Sequence, residues 1–221
     1  MSDRQLPNRR TVVARLLRDR TDALVIPGLG AANYDVGAVG DHELNYYQWG
    51  AMGGAAMMGL GLALAQPERP VIVITGDGEM LMGMGAFATI GLQQPKNLHI
   101  VIMDNEAYGE TGKQASHTQR ADLAAVAAAC GFERTGTIGA AVANATGAAS
   151  AMGLADEAGA GSAAGVDAQI EALAALVHRA DAGPSATVVK IDAAEITRFV
   201  PIRDGGYMKG RFRKALGLSI D

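Results

Sequence analysis

The sequence predicts an α/β fold, a doubly wound parallel sheet with helices on both faces. Two observations carry this. Val71-Ile72-Val73-Ile74-Thr75 and Leu98-His99-Ile100-Val101-Ile102-Met103 are short, nearly continuous apolar runs. Such runs lack the polar alternation of a half-exposed strand and read as strands covered on both sides. Between runs of this kind lie stretches of helical periodicity, and strands alternating with helices of roughly 10–15 residues argue a parallel sheet.

The elements follow in order. Helical spacing over Arg9 to Arg18 leads into the apolar run Ala23 to Ile26, then the turn Pro27-Gly28-Leu29-Gly30 and a second helix-like stretch. Glycines in that turn would let backbone approach a ligand. Further strands are expected at Leu44–Tyr46, Val71–Thr75, Leu98–Met103, Phe132–Thr135 and Ala186–Ile191, and helices near Ala51–Ala65, Met80–Gln93, Ala121–Ala129 and Asp167–Ala180. Gly50 to Ala65 is apolar, but its glycines at 50, 53, 54, 59 and 61 mark a tightly packed helix, not a membrane span. Residues 137–166 are mostly Ala and Gly, which bury little apolar area per ordered residue, so an insertion is expected there. A basic C-terminal arm, 198–221, carries Arg198, Arg203, Lys209, Arg211, Arg213 and Lys214. It reads either as a solvated or docking arm or as an anion-facing flap.

At 221 residues the chain suits one domain. A net charge of -4 with 5% aromatic residues excludes a nucleic-acid surface, which needs a basic stripe and stacking rings. One cysteine, Cys130, excludes an internal disulfide framework and an all-cysteine iron–sulfur site, and reads as a small core residue. Met1 to Arg10 has no apolar signal core, so a soluble cytoplasmic protein is expected.

Chemistry concentrates at two strand ends. Gly76-Asp77-Gly78 closes one buried run and Asp104-Asn105 closes the next, with 25 residues between Gly78 and Asp104. If the strands are neighbours, a carboxylate and an amide oxygen meet at the sheet's C-terminal edge, where open α/β sheets bind ligands. That pair suits magnesium, which takes one or two carboxylates together with phosphate oxygens and water. Two other glycine patterns, Gly28-Leu29-Gly30-Ala31-Ala32-Asn33 and Gly83-Met84-Gly85-Ala86-Phe87-Ala88, fail as dinucleotide sites: the first lacks the third glycine, the second lies within an expected helix.

The segment GDGEMLMGMGAFATIGLQQPKNLHIVIMDN resembles the diphosphate and magnesium motif of thiamine-diphosphate enzymes. With WGAMGGAAMMGLGLALAQPERPVIVIT before it and DNEAYGETGKQASHT at its end, the chain is similar to the β, diphosphate-binding subunit of the sulfopyruvate and phosphonopyruvate decarboxylase group. The resemblance implies that Asp77, Asn105 and the Ala107 carbonyl ligate Mg2+, and that backbone N–H groups of Gly78 and Glu79 receive the diphosphate at a helix N-terminus. It implies that Tyr108, Gly109 and Glu110 close the other side, that Met52 is the bulky apolar residue beneath a bent cofactor, and that Gly28, Gly30 and Gly76 lie beside the diphosphate. Position 79 departs from the wider family, where a small residue is common. A glutamate side chain there should turn away from the diphosphate or reach a basic partner. Glu110, Lys113 and His117 are candidates for contact with the substrate, although the resemblance assigns none of them a proton transfer, and an ordinary surface loop reads equally well.

In that family a glutamate from a separate pyrimidine-binding domain activates the cofactor, so the resemblance implies a partner α subunit and an α2β2 or larger assembly. The implied activity is decarboxylation of a small 2-oxo acid of sulfopyruvate type. Alternatives are a subunit of a carboligase or of a 2-oxo acid oxidoreductase, or a noncatalytic cofactor-binding module.

Overall fold

The computed structural model describes residues 6–139 and 163–219. Five parallel strands form the central sheet: β1 (Leu24–Pro27), β2 (Val71–Gly76), β3 (Leu98–Asp104), β6 (Arg134–Ile138) and β7 (Ser185–Lys190), in the order β1-β2-β3-β7-β6. Register runs Gly76 against Met103, so the residues just after these two strands emerge side by side. β2 and β3 are buried almost throughout, as their unbroken apolar runs require.

Two apolar layers cover the sheet. One packs α3 (Ala55–Ala65), α5 (Ala86–Gln93) and α6 (Leu123–Ala129) around Val73, Phe87, Ile100 and Ile102. The other packs α1 (Arg9–Leu17), α2 (Ala31–Val39) and α7 (Ala163–Val177) around Val25, Ile72, Ile74 and Val101. A small hairpin, β4 (Ala107–Tyr108) with β5 (Gln114–Ala115), stands beyond the tip of β3. Among the described residues no helix is long and apolar enough to cross a membrane.

Several expected elements change. Leu44–Tyr46 is not a strand: it meets β1 at a single bridge, Val25 with Asn45. Val25 gives its N–H to Leu44 and takes one from Tyr46, but the next β1 residue on that side is Pro27, which has no N–H with which to continue the ladder. The helix expected from Ala51 starts at Ala55, because Gly50, Ala51 and Gly53 all have positive φ. The helix expected over Met80–Gln93 starts earlier and breaks in two, α4 (Asp77–Met82) and α5, at Gly83-Met84-Gly85. A Cβ at Gly83 would overlap the Gly53 carbonyl, so the break seats one turn of chain against another. β6 and α7 are shifted by a few residues from Phe132–Thr135 and Asp167–Ala180. Thr137 and Ile138 of the expected insertion belong to β6, Ala163 to Val166 belong to α7, and residues 140–162 lie outside the described residues. The basic arm is not simply a solvated tail. Asp204 caps α8 (Gly205–Ala215) through the Tyr207 N–H, and Met208 and Phe212 on that helix are buried in the two core layers.

His99 lies in the middle of this sheet, fully buried, accepting from the Ser185 hydroxyl at 2.8 Å and donating to the Arg179 carbonyl at 2.7 Å. Burial holds its imidazole neutral, with a pKa down to about 4. An unfolded histidine takes its proton near pH 6.5, so between those values the unfolded chain binds more protons and acid favours it. Stability is therefore complete above about pH 6.5 and falls by about 3 kcal/mol on going to pH 4 from this residue alone. Urea midpoints measured across that interval should decline in the parent chain and decline less in His99→Gln; parallel slopes would refute the assignment.

Candidate functional site

Asp77 is the first residue of α4, directly after β2, and Asp104 ends β3, so both carboxylates reach the C-terminal edge of the sheet together. Each is buried. Asp77 Oδ2 accepts a short hydrogen bond from Ser116, while Thr118 Oγ1 stands 2.8 Å from Asp104 Oδ1 and 3.3 Å from Asp77 Oδ2. Lys190, at the end of β7, donates to Asp104 and to Glu106, each at 2.7 Å. Burial, opposed by the Ser116 hydrogen bond and reinforced by the Asp104 carboxylate, pushes Asp77 above the ordinary carboxylate range. Burial would lower Lys190, yet the hydrogen bonds to Asp104 and Glu106 outweigh it and raise its pKa.

Sequence reasoning singled out Asp77 and Asn105 but missed Ser116, Thr118, Asp104's partner Lys190 and the network among them. Serine and threonine in a polar loop carry no pattern that says which carboxylate they will meet.

Of these groups Asp77 lines a cleft of about 480 Å³, while Asp104, Ser116, Thr118 and Lys190 stand outside its wall. Its walls include Gly76, Asp77, Gly78, Asn105, Ala107 and Met52, brought together from three separate stretches of chain. Tyr108 and Gly109 also line it, and a Cβ on Gly78 would press into the Tyr108 ring at 2.6 Å. Glu110 and Lys113 reach the wall, paired with Arg198 at 3.3 Å and with Glu195 at 2.6 Å. His117 stays off the wall, exposed, with its Nδ1 3.2 Å from the Tyr108 hydroxyl. From the turn after β1, Leu29 and Ala31 line the cleft in place of Gly28 and Gly30. Gly28 instead leaves room for the Glu79 carboxylate, which a Cβ would overlap. Glu79 turns away from the cleft, as its charge demands, but reaches no basic partner among the described residues. It takes the Thr75 hydroxyl at 2.8 Å and the Gly53 N–H at 3.3 Å, and burial raises its pKa.

The donor set fits a hard divalent cation. Asp77, Asn105 and the Ala107 carbonyl offer oxygen only, which is the preference of magnesium. Charge points the same way: among the described residues, Lys190 pairs with Asp104 and Glu106, and Asp77, beside Asp104, has no ion pair. A family model described as the C-terminal TPP binding domain of thiamine pyrophosphate enzymes matches residues 29–191.

The chain belongs to this thiamine pyrophosphate enzyme family.

Within the family it is 41% identical over 125 residues to the sulfopyruvate decarboxylase subunit beta of Methanococcus maripaludis, covering 57% of this chain and 67% of the relative. It is 42% identical over 127 residues to the phosphonopyruvate decarboxylase of Streptomyces viridochromogenes, covering 57% of this chain but 32% of the relative. Benzoylformate decarboxylase from Polynucleobacter necessarius superposes with a TM-score of 0.58 at 18% identity, over 90% of this chain and 36% of that one, which shows a shared fold. The matched residues carry four of the five strands, β2, β3, β6 and β7, and most of the cleft at the sheet's C-terminal edge.

Proposed function

We propose that this chain is the diphosphate-binding β subunit of a heteromeric 2-oxo acid decarboxylase acting on a sulfopyruvate-like acid. The observation that carries the reading is that Asp77 and Asn105, just past the tips of adjacent strands, both line one cleft of coenzyme size. The similarity to sulfopyruvate and phosphonopyruvate decarboxylases supports the substrate class, and the relative's designation as a beta subunit supports a partner α chain.

In this reading Asp77, Asn105 and the Ala107 carbonyl hold Mg2+, and the N–H groups of Gly78 and Glu79 at the start of α4 meet the diphosphate. The positive end of that short helix and the metal share the work of neutralising it. Bound thiamine diphosphate supplies the electron sink for the pair left by departing carbon dioxide. Met52 packs beneath the rings, where a flexible, polarizable side chain fills an irregular gap. Tyr108, Gly109 and Glu110 close the other side and keep water out. The partner α subunit brings the activating glutamate to an α2β2 or larger assembly.

The test is co-expression with a pyrimidine-binding chain, addition of thiamine diphosphate and Mg2+, and a screen of 2-oxo acids for carbon dioxide release. Turnover of sulfopyruvate or a similar acid only in the assembled complex is the expected result. Turnover that requires an added electron acceptor would replace this reading with an oxidoreductase.

A further inference from the structure

Glu79 is a buried carboxyl group surrounded by neutral hydrogen-bond donors. Its buried carboxyl accepts the Thr75 hydroxyl at 2.8 Å and the Gly53 N–H at 3.3 Å, fills the space beside Gly28, and lies near enough to the Ala55 and Leu29 N–H groups for them to favour its charged form. The donors come from three stretches of chain far apart in sequence: the end of β2, the turn after β1, and the approach to α3. Each stretch gives the cleft a wall, Thr75 to Gly78 from the first, Leu29 from the second and Met52 from the third. A carboxyl group suits this place, because its two oxygens offer several acceptor sites to donors that arrive from different directions. Gly28 completes the arrangement, since a side chain there would displace the carboxylate.

We propose that Glu79 is a positioning residue, one that fixes Met52 and the Leu29 turn at a set distance from the metal-bearing tip of β2. The proposal rests on the thiamine-diphosphate reading of the cleft. Asp77 and Gly78 lie at that tip in their own right, so the diphosphate half of the site does not depend on the Glu79 side chain. The ring half does.

The test measures two probes by calorimetry on the full chain assembled with its pyrimidine-binding partner, at saturating Mg2+ and well below each variant's melting temperature. Inorganic pyrophosphate reports the diphosphate half; thiamine diphosphate reports both halves. Glu79→Gln and Gly28→Ala should weaken thiamine diphosphate roughly ten-fold or more, and leave pyrophosphate within about three-fold of the parent chain. Thr75→Val, which removes one donor at nearly constant shape, should show the same split in smaller measure and serves if the other two do not fold. Equal losses for both probes, or no loss for thiamine diphosphate, would overturn the proposal. Asp77→Ala is the control for the underlying reading: it should lose both probes, and if it binds both as the parent does, the cleft is not a magnesium–diphosphate site at all.

Discussion

Replacing Asp77 by alanine should lower magnesium-dependent retention of thiamine diphosphate by more than about 100-fold and abolish turnover, without lowering the melting temperature of the cofactor-free chain. The ligand argument is electrostatic. Of the three protein groups proposed for the ion, Asp77 alone carries a formal charge, and losses of even outer-shell partners commonly reach 10–100-fold. The stability argument runs in the opposite direction. Asp77 is buried against a second carboxylate, and its raised pKa means that the folded, metal-free chain holds the charged form at a cost. Deleting it relieves that cost and leaves Ser116 and Thr118 to satisfy each other and Asp104. Calorimetry with Mg2+ and coenzyme, beside a thermal melt without them, separates the two effects. Normal retention in the variant would remove the site assignment.

Gly91→Ala should destabilise the fold by about 3 kcal/mol, the upper end of ordinary overpacking. Gly91 sits on α5 where that helix meets the end of α6, and a Cβ there would overlap the Cys130 carbonyl, a backbone atom that cannot swing aside. Gln94 ties the same junction, donating to the Gly91 carbonyl at 2.5 Å and to the Gly131 carbonyl at 2.7 Å. For a chain of this size the expected fall in melting temperature is about 6–12 °C. Gly61→Ala makes the same chemical change within α3, where nothing lies within 4 Å, and should stabilise by about 0.5–1 kcal/mol. Opposite signs for the two substitutions would show that the packing partner, not helix propensity, governs the first; a loss at Gly61 or none at Gly91 would contradict this.

The strands that matter most were legible because their signal is local. β2 and β3 announce themselves as apolar runs, and the polar residues that end each run then fall at the edge of the sheet whatever the rest of the chain does. Asp77 and Asn105 could be placed at one edge of the sheet from sequence for this reason. Glu79 was legible in part: its charge required it to leave the cleft, but no spacing indicated that its partners would be the Thr75 hydroxyl and the Gly53 N–H, or that it would fill the space beside Gly28. Leu44–Tyr46 misled because β propensity is local while ladder continuation depends on the neighbour, and the neighbour was Pro27. The C-terminal arm misled because its charges dominate its composition, although Met208 and Phe212, one helical turn apart, supply the buried face.

The order of residues by itself determined the alternation of strands and helices, the chemistry at the ends of β2 and β3, and the family that this chemistry resembles. Those properties follow from contacts between near neighbours and from where an apolar run stops. The tertiary structure decided which hydroxyls bridge Asp77 and Asp104, that Lys190 sits behind them, where the helix after Asp77 breaks, and what the Glu79 carboxylate holds. Each of these depends on chain segments separated by tens of residues arriving within a few ångströms, and that proximity is set by the packing of the whole sheet rather than by any stretch of the sequence.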